Sequence, residues 1–157
     1  MISESLRENP LAAAFEDLAT AAKFEFAELT VEVAPASILE ALRRAKHDLK
    51  FERLSTVTAV DRYPAEPRFE IVYHLHAIAA KQRLRLKARV ASVPGTDNPE
   101  IESAVAIYRS ANWYEREVFD LFGIRFLHHP DLTRIMMPDD WVGHPLRKDL
   151  SVTGTRY

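Results

Sequence analysis

The sequence contains no cysteine among its 157 residues. This absence excludes disulfides, thiolate nucleophiles and cysteine-held zinc or iron–sulfur clusters from this chain. No apolar run approaches the roughly 20 residues that a membrane-spanning helix needs, so membrane association is expected only through partners. An excess of one charge is also missing, because 21 basic and 23 acidic residues leave a net charge of −2. Composition therefore gives no sign of a nucleic-acid or membrane-surface binder.

The N-terminus lacks a targeting pattern. Glu4, Glu8, Glu16 and Asp17 are incompatible with a signal peptide and with an acid-poor transit peptide, so the expected location is the cytoplasm. The residues that are present are those of an ordinary globular chain, with 47% hydrophobic and 28% charged side chains. The length suits one domain, with room for an appended arm.

The first half of the chain changes its hydrophobic period several times. Asn9-Pro10 and the helically spaced apolar residues after it predict a helix to about residue 23, and strict alternation predicts a strand over 24–33. Pro35 begins a second predicted helix. Residues 51–62 predict a strand from their β-branched side chains, and residues 100–110 predict another helix.

Residues 69–77 and 84–90 are predicted to form an antiparallel hairpin. Apolar residues alternate in both segments. If paired residue numbers sum to 159, the apolar positions of one strand meet those of the other, and Glu70 lies opposite Arg89. The hydrophobic pattern thus fixes the parity of the register.

The predicted fold class is α+β. Residues 1–126 are expected to form a two-layer domain with a mostly antiparallel four-stranded sheet packed by helices. Residues 127–157 are expected to form an extended, irregular C-terminal arm, because repeated X-Pro pairs disfavour regular structure there. Apolar residues such as Trp141 and Met136 indicate that the arm packs on the domain, on a neighbouring protein, or on both.

A ladder of cations, Lys81, Arg83, Arg85, Lys87 and Arg89, occupies one face of the second hairpin strand. Three interpretations stay open: a solvated, edge-protecting face, a contact with an acidic protein partner, and a nucleic-acid surface. The last is disfavoured because RNA-binding sheets expose aromatic side chains for base stacking, whereas here the aromatic residues lie on the opposite face.

The six histidines do not form a metal-binding pattern. His74 and His76 share a strand face next to cations, and His128, His129 and His144 lie in the arm without the spacing of a helical ligand pair. No metal site is predicted.

The segment "ANWYEREVFDLF" predicts a helix with apolar residues almost all round it. A helical wheel places Glu117 within the apolar arc, with Arg116 and Asp120 as a facing pair beside it. A carboxylate in such a setting needs a cation and hydrogen bonds.

General acid–base catalysis by paired carboxylates is the alternative, but no nucleophile or phosphate-binding motif accompanies them. We therefore predict a structural charge network at a partner interface, and no catalytic residue; its members are Glu115, Arg116, Glu117, Asp120, Arg134, Arg147 and Lys148.

The same segment and its continuation, "YEREVFDLFGIRFLHHPDLTRIMMPDDWVGHPLRKD", resemble the C subunit of the proton-pumping NADH–quinone oxidoreductase, respiratory complex I. Two positions depart from the family pattern: His128 stands where glycine is common, and Thr133 where a basic residue is frequent. Besides the charged positions, the signature residues that match are Phe122, Gly123, His129, Pro130, Asp131, Leu132, Trp141, His144, Pro145, Leu146 and Asp149.

The resemblance implies a non-catalytic protein of the peripheral arm that packs against the D subunit of the complex and supports the quinone site. FMN and iron–sulfur clusters are implied for the complex, which passes electrons from NADH to quinone and translocates protons, and no cofactor is implied for this chain. The implied location is the cytoplasmic side of the bacterial inner membrane, where the chain is peripheral and attached only through the complex. No nucleic-acid partner is implied. Because the chain stops soon after Asp149, we expect a C subunit that is a chain of its own and is not fused to the D subunit. An equivalent component of a membrane-bound hydrogenase-type complex is the alternative.

Overall fold

A five-stranded mixed sheet forms the centre of the protein. The computed structural model describes residues 9–92 and 98–149. In sheet order β1-β2-β5-β4-β3, neighbouring strands are antiparallel except for the parallel pair β2 and β5. The strands are β1 (Ala19–Glu25), β2 (Glu28–Val33), β3 (Arg53–Asp61), β4 (Phe69–Ala77) and β5 (Gln82–Val90).

Short helices and a small second sheet complete the described fold. Helix α1 spans Pro10–Ala13, a 3-10 turn at Pro35–Ser37 leads into α2 (Ile38–His47), and α3 spans Ala111–Phe122. Strands β6 (Glu100–Glu102) and β7 (Arg125–Leu127) pair in parallel. None of the described helices is long and apolar enough to span a membrane.

The predicted hairpin register is confirmed. Every β4–β5 pair, from Phe69 with Val90 to Ala77 with Gln82, sums to 159. Because side chains alternate across a sheet, this register places the apolar residues of both strands on the face that the helices cover. Tyr73, Leu75, Leu84 and Leu86 are all buried there.

The α+β class with a mostly antiparallel sheet is confirmed, but the sheet has a fifth strand. The helix predicted over residues 10–23 is wrong beyond Ala13: the chain turns and then runs as β1, which pairs with β2 from Ala19 to Glu25. Strand pairing overrides the helical propensity of this alanine-rich segment. The strand predicted over 24–33 therefore corresponds to the end of β1, a turn, and β2.

The helix predicted over residues 100–110 is also wrong. Glu100–Glu102 is a strand, held by its pairing with β7, and the residues that follow make turns. The helical spacing of Ile101, Ala104 and Tyr108 is satisfied without a helix, because all three are buried in the core anyway. The second predicted helix and the strand over 51–62 are confirmed as α2 and β3.

The predicted arm begins inside a strand, because Leu127 is the last residue of β7. The rest of its described part, residues 128–149, has no helix or strand. It runs past the end of α3, and Leu132 packs against the core from it. The outer parts of the two predicted regions, residues 1–8 and 150–157, and residues 93–97 lie outside the described residues, so the division into a domain and an arm stays a prediction.

Candidate subunit interface and its charge network

The arm is anchored to the C-terminal end of α3 by Asp120. This carboxylate is fully buried. Its Oδ2 accepts hydrogen bonds from three successive backbone N–H groups of the arm, those of Ile135 at 3.0 Å, Met136 at 2.7 Å and Met137 at 2.8 Å. Its Oδ1 accepts from Nη1 of Arg134 at 2.5 Å. Burial alone would raise the pKa of Asp120, but these four donors outweigh it and lower the pKa to about 2.

Arg134 extends this anchor along the arm. While Nη1 contacts Asp120, Nη2 donates to the carbonyl oxygens of Trp141 at 3.0 Å and Gly143 at 3.1 Å. One guanidinium therefore joins the helix to two separate points of the arm, which fixes the loop between them. A guanidinium offers five N–H donors in one plane, so lysine would not replace these contacts.

The arm also caps the end of α3. A helix leaves its last four carbonyl groups without partners inside the helix. Here His144 Nδ1 lies 2.9 Å from the carbonyl oxygen of Asp120, Leu146 donates its backbone N–H to Leu121, and Arg147 Nε donates to Phe122 at 2.6 Å. Arg134 and Arg147 also bring positive charge to the negative end of the helix dipole. We call the contacts of Asp120, Arg134, His144 and Arg147 the arm clasp.

Gly123 makes the clasp sterically possible. Its φ of 73° lies in the left-handed region, and its N–H caps the carbonyl of Phe119 at 2.8 Å. A Cβ atom at this position would lie 2.5 Å from His144 Cδ2 and 2.6 Å from Arg147 Nη2. Glycine is therefore needed both for the backbone conformation and for the close approach of the arm.

A second anchor holds the end of the arm to the sheet. Asp61, at the end of β3, accepts a bidentate pair from Arg68 at 2.9 and 2.7 Å, and also the backbone N–H of Lys148 at 2.8 Å. Arg68 in turn contacts both carboxylate oxygens of Asp149, at 2.9 and 2.8 Å. The Arg68 guanidinium holds the pKa of Asp61 well below its usual range. Arg68 was not predicted from the sequence, where a cation between Pro67 and Phe69 carries no distinguishing signal.

Glu115 is the buried carboxylate of α3, and it has no cation hydrogen-bonded to it in the described part of the chain. Its side chain is 0% exposed. Oε2 accepts from Ser103 Oγ at 2.6 Å, and Oε1 accepts from the backbone N–H of Ala104 at 2.7 Å. Burial raises the pKa of Glu115 to about 7, against the lowering effect of these two donors. Tyr73 Oη faces the same space, buried and without a hydrogen-bond partner among the described residues.

His129 closes this space from the arm. Its side chain is fully buried, with Nε2 at 3.9 Å from Glu115 Oε2 and 3.2 Å from the carbonyl oxygen of Asn112. Nδ1 accepts the backbone N–H of Asp131 at 3.0 Å, so the proton of a neutral ring sits on Nε2. Burial lowers the pKa of His129. His129 is therefore a neutral ring beside the carboxyl group of Glu115. The 3.9 Å between His129 Nε2 and Glu115 Oε2 is too long for a hydrogen bond.

Glu117, which the helical wheel places within the apolar arc, is exposed, and Trp113 of the same arc is 62% exposed. This side of the helix is therefore not buried within the chain, and its cover by a partner stays a prediction. The predicted pair of Arg116 with Asp120 is also replaced: Arg116 donates to the carbonyl oxygens of Thr133 at 3.2 Å and Arg134 at 3.1 Å. The helix is turned so that Glu115 and Asp120 face inward.

The remaining predicted positions fall into two groups. Phe122 and Gly123 are buried at the clasp, whereas Pro130, Asp131 and Lys148 are exposed, and Lys148 makes its described contact through its backbone. His128 has a positive φ of 62°, and its Nδ1 lies 2.8 Å from Glu102 Oε2. Large apolar side chains of the arm are exposed: Ile135, Met136, Trp141, Val142 and Leu146.

These polar side chains hold the chain together and form no recognisable reaction centre within residues 9–92 and 98–149. In the same ranges, no group of three or more histidine and carboxylate side chains is placed to hold a metal ion. The two buried carboxylates of α3, Glu115 and Asp120, are occupied by donors from the loop before the helix and from the arm. Fold and site together define the class: a small α+β protein with an arm clasped across the end of a helix.

Comparison with known proteins gives the particular family. Residues 31–156 match the family model described as respiratory-chain NADH dehydrogenase, 30 Kd subunit. The C subunit of the NADH-quinone oxidoreductase of Citrifermentans bemidjiense is 49% identical over 127 residues, which are 81% of this chain and 76% of that protein. The second C subunit of Rhizobium etli is 40% identical over 159 residues, 98% of this chain and 80% of that one.

A solved structure agrees in fold. A chain in the structure of the membrane-bound sulfane sulfur reductase, an archaeal respiratory membrane complex, superimposes with a TM-score of 0.69 and 26% identity. The match covers 92% of this chain and 85% of that chain. Our chain belongs to the family of the 30 kDa subunit of respiratory-chain NADH dehydrogenase.

Proposed function

We propose that this chain is a non-catalytic structural component of the peripheral arm of a proton-translocating NADH–quinone oxidoreductase, where its C-terminal arm presents a docking surface to the D subunit. FMN and the iron–sulfur clusters then belong to other subunits, which fits a chain without cysteine. The complex would lie on the cytoplasmic side of the bacterial inner membrane, with this chain attached through its neighbours.

The observation that carries the proposal is an apolar surface on a backbone that is held firmly in place. Met136 is 63% exposed and Val142 is 89% exposed. Yet the N–H of Met136 is bound to Asp120, and Arg134 holds the carbonyls on either side of Val142. An irregular segment with this many anchors loses little conformational entropy on binding, so its apolar side chains contribute more fully to affinity.

Charged residues beside this surface suit an interface rim. Arg116 lies over the ring of Trp113, 5.2 Å from its centroid, and holds arm carbonyls from the same side of α3. Exposed tryptophan with a stacked arginine is typical of energetically important interface positions. In this proposal Glu117, exposed on the same helix, pairs with a cation of a neighbour.

The test is purification of the assembly through a tag on this chain. Recovery of the D subunit with flavin and iron–sulfur absorbance is expected. Met136→Gln combined with Val142→Gln should lower the yield of the D subunit roughly ten-fold, since apolar contacts of this kind dominate affinity. Ile78→Gln is the matched control, because Ile78 is 59% exposed on the β4–β5 turn, away from the arm. Equal yields from the arm variant and the control would refute the docking role.

A second candidate is the equivalent component of a related respiratory membrane complex with another electron donor. The fold agreement with the sulfane sulfur reductase chain favours it, although the identity of 26% is well below the 49% of the Citrifermentans relative. The same purification distinguishes the two: NADH-dependent quinone reduction by the recovered assembly supports the first, and its absence with another donor active supports the second.

A further inference from the structure

The side of the sheet away from the helices carries an excess of positive charge. Two shallow grooves there are lined by six cations and four carboxylates, whereas the whole chain has a net charge of −2. The charge of the protein is therefore separated, with this side of the sheet basic and the remainder acidic. The six cations, which we call the basic face, are Lys23, Arg62, Arg83, Arg85, Lys87 and Arg89.

The carboxylates within this surface are already used. Glu70, only 2% exposed, is shared by Lys87 at 2.9 Å, Arg62 at 3.1 Å and Arg89 at 3.7 Å. The single carboxylate of Glu70 therefore contacts three positively charged side chains. Arg83 is exposed and has no ion pair in the described part of the chain. A surplus of cations around satisfied carboxylates leaves a positive potential directed outward.

The grooves form one continuous track along the strands. Lys23, Thr30 and Lys87 line both of them, so the track follows β1, β2 and β5 from one end to the other. A track parallel to extended strands fits an extended polypeptide. A nucleic acid fits less well, because base stacking on a sheet needs aromatic side chains on the strands, and among the described residues lining the two grooves the one aromatic side chain is Phe26, in the hairpin turn.

An aromatic residue stands at one end of the track. Phe26 is completely exposed at the tip of the β1–β2 hairpin and lines the first groove. The two turn residues, Phe26 and Ala27, have φ of 51° and 58°, a conformation that normally selects asparagine and glycine. A large apolar side chain kept in an unfavourable backbone conformation and in solvent indicates a contact outside this chain.

From charge, shape and the exposed aromatic together, we infer that the basic face binds an acidic, extended segment of another protein of the assembly, with an apolar side chain of that segment against Phe26. The inference rests on the proposed function, in that the chain must work within an assembly. It identifies a second docking surface, on the side of the sheet opposite the helices.

Two experiments on the tagged, purified assembly test this surface. Zero-length carbodiimide cross-linking joins lysines to carboxylates in contact, so Lys23 or Lys87 should form products with aspartate or glutamate of another protein. Arg83→Glu should lower partner retention roughly five-fold at low salt and much less at high salt, because the attraction is electrostatic. The matched control is Arg109→Glu, a reversal of another exposed arginine outside the grooves.

A third variant separates folding from binding. Phe26→Asn with Ala27→Gly suits the turn, so the free chain should unfold at a higher temperature while partner retention falls. Equal retention for the Arg83 and Arg109 variants, or cross-links only within the chain, would overturn the inference while leaving the proposed function intact. Loss of all partners from the unaltered chain would overturn both. Tight binding of RNA that Arg83→Glu abolishes would also overturn it, in favour of a nucleic acid.

Discussion

Replacing Glu115 by glutamine should change how the stability of this protein depends on pH. The folded-state pKa of Glu115 is about 7 against an ordinary value of 4.5, so the folded protein favours the neutral acid. The stability from this group is fully present below the unfolded pKa and is lost as the pH rises through the folded pKa. Because one pKa unit corresponds to about 1.4 kcal/mol, the loss between pH 5 and pH 8 is about 2.5 kcal/mol.

Glutamine reproduces the hydrogen bonding of the neutral acid. Its carbonyl oxygen can accept the N–H of Ala104, and its amide can donate to Ser103 Oγ, which also accepts the N–H of Val105. The Glu115→Gln variant is therefore expected to lose the ionisation penalty without losing these contacts. At pH 8 it should be more stable than the unaltered chain, and at pH 5 the advantage should fall to about 0.8 kcal/mol.

Urea unfolding at pH 5, 6, 7 and 8, followed by tryptophan fluorescence, measures this difference. Buried histidines such as His129 and His144, whose pKa values burial lowers, contribute a slope of opposite sign, since stability from them rises with pH. The contribution of His144, whose pKa is shifted by charged neighbours other than Glu115, cancels when the variant is compared with the unaltered chain. Glu117→Gln is the control, two residues further along and exposed. Parallel pH profiles for the Glu115 variant and the unaltered chain would refute the reasoning.

Four further changes test the rest of the network. Asp120→Asn should destabilise the chain by about 3 kcal/mol and expose residues 134–148 to limited proteolysis, because an amide NH₂ would face N–H donors that now share a carboxylate. The difference between the two chains should shrink as the pH falls through about 2, where Asp120 is protonated in the folded chain. Gly123→Ala should cost at least about 1 kcal/mol from the positive φ alone, measured by thermal unfolding, and an unchanged midpoint would contradict the clash with His144. Arg68→Met should cost about 3 kcal/mol in urea by leaving Asp61 buried and unpaired, and adding Asp61→Asn should recover part of it. Glu117→Gln should leave the free chain as stable as before and weaken its retention in the assembly, so normal retention would remove Glu117 from the interface.

The sheet could be predicted where the hydrophobic pattern had one solution. Alternation in β4 and β5 left a single register parity, because a shift by one residue would turn every apolar side chain to the other side of the sheet. The segment of β1 had no such constraint. Its alanines suit a helix as well as a strand, and the choice depends on pairing with β2, which no local pattern reveals.

The sequence predicted which kinds of residue form the site, but it did not predict which side of α3 faces the core. The helical wheel indicated that α3 carries a carboxylate needing partners within its apolar surface, but it singled out Glu117, whereas the buried acidic side chains are those of Glu115 and Asp120. Which side of an almost uniformly apolar helix faces the core is decided by what covers it. Here the loop around Ser103 and the arm cover the side of Glu115 and Asp120. Large aromatic residues left outside are typical of a chain that has further neighbours.

The Glu115-Arg116-Glu117 run follows from the geometry of one helix that meets three environments. Successive residues on an α-helix point about 100° apart, so three in a row cannot share a neighbour. Glu115 points into the core and meets Ser103 and Ala104, Arg116 points to the arm carbonyls of Thr133 and Arg134, and Glu117 points outward. Each charge therefore has a different task, and removing one should leave the other two contacts in place. This separation is why a dense charged motif on an aromatic helix is better explained by holding polypeptides together than by turnover.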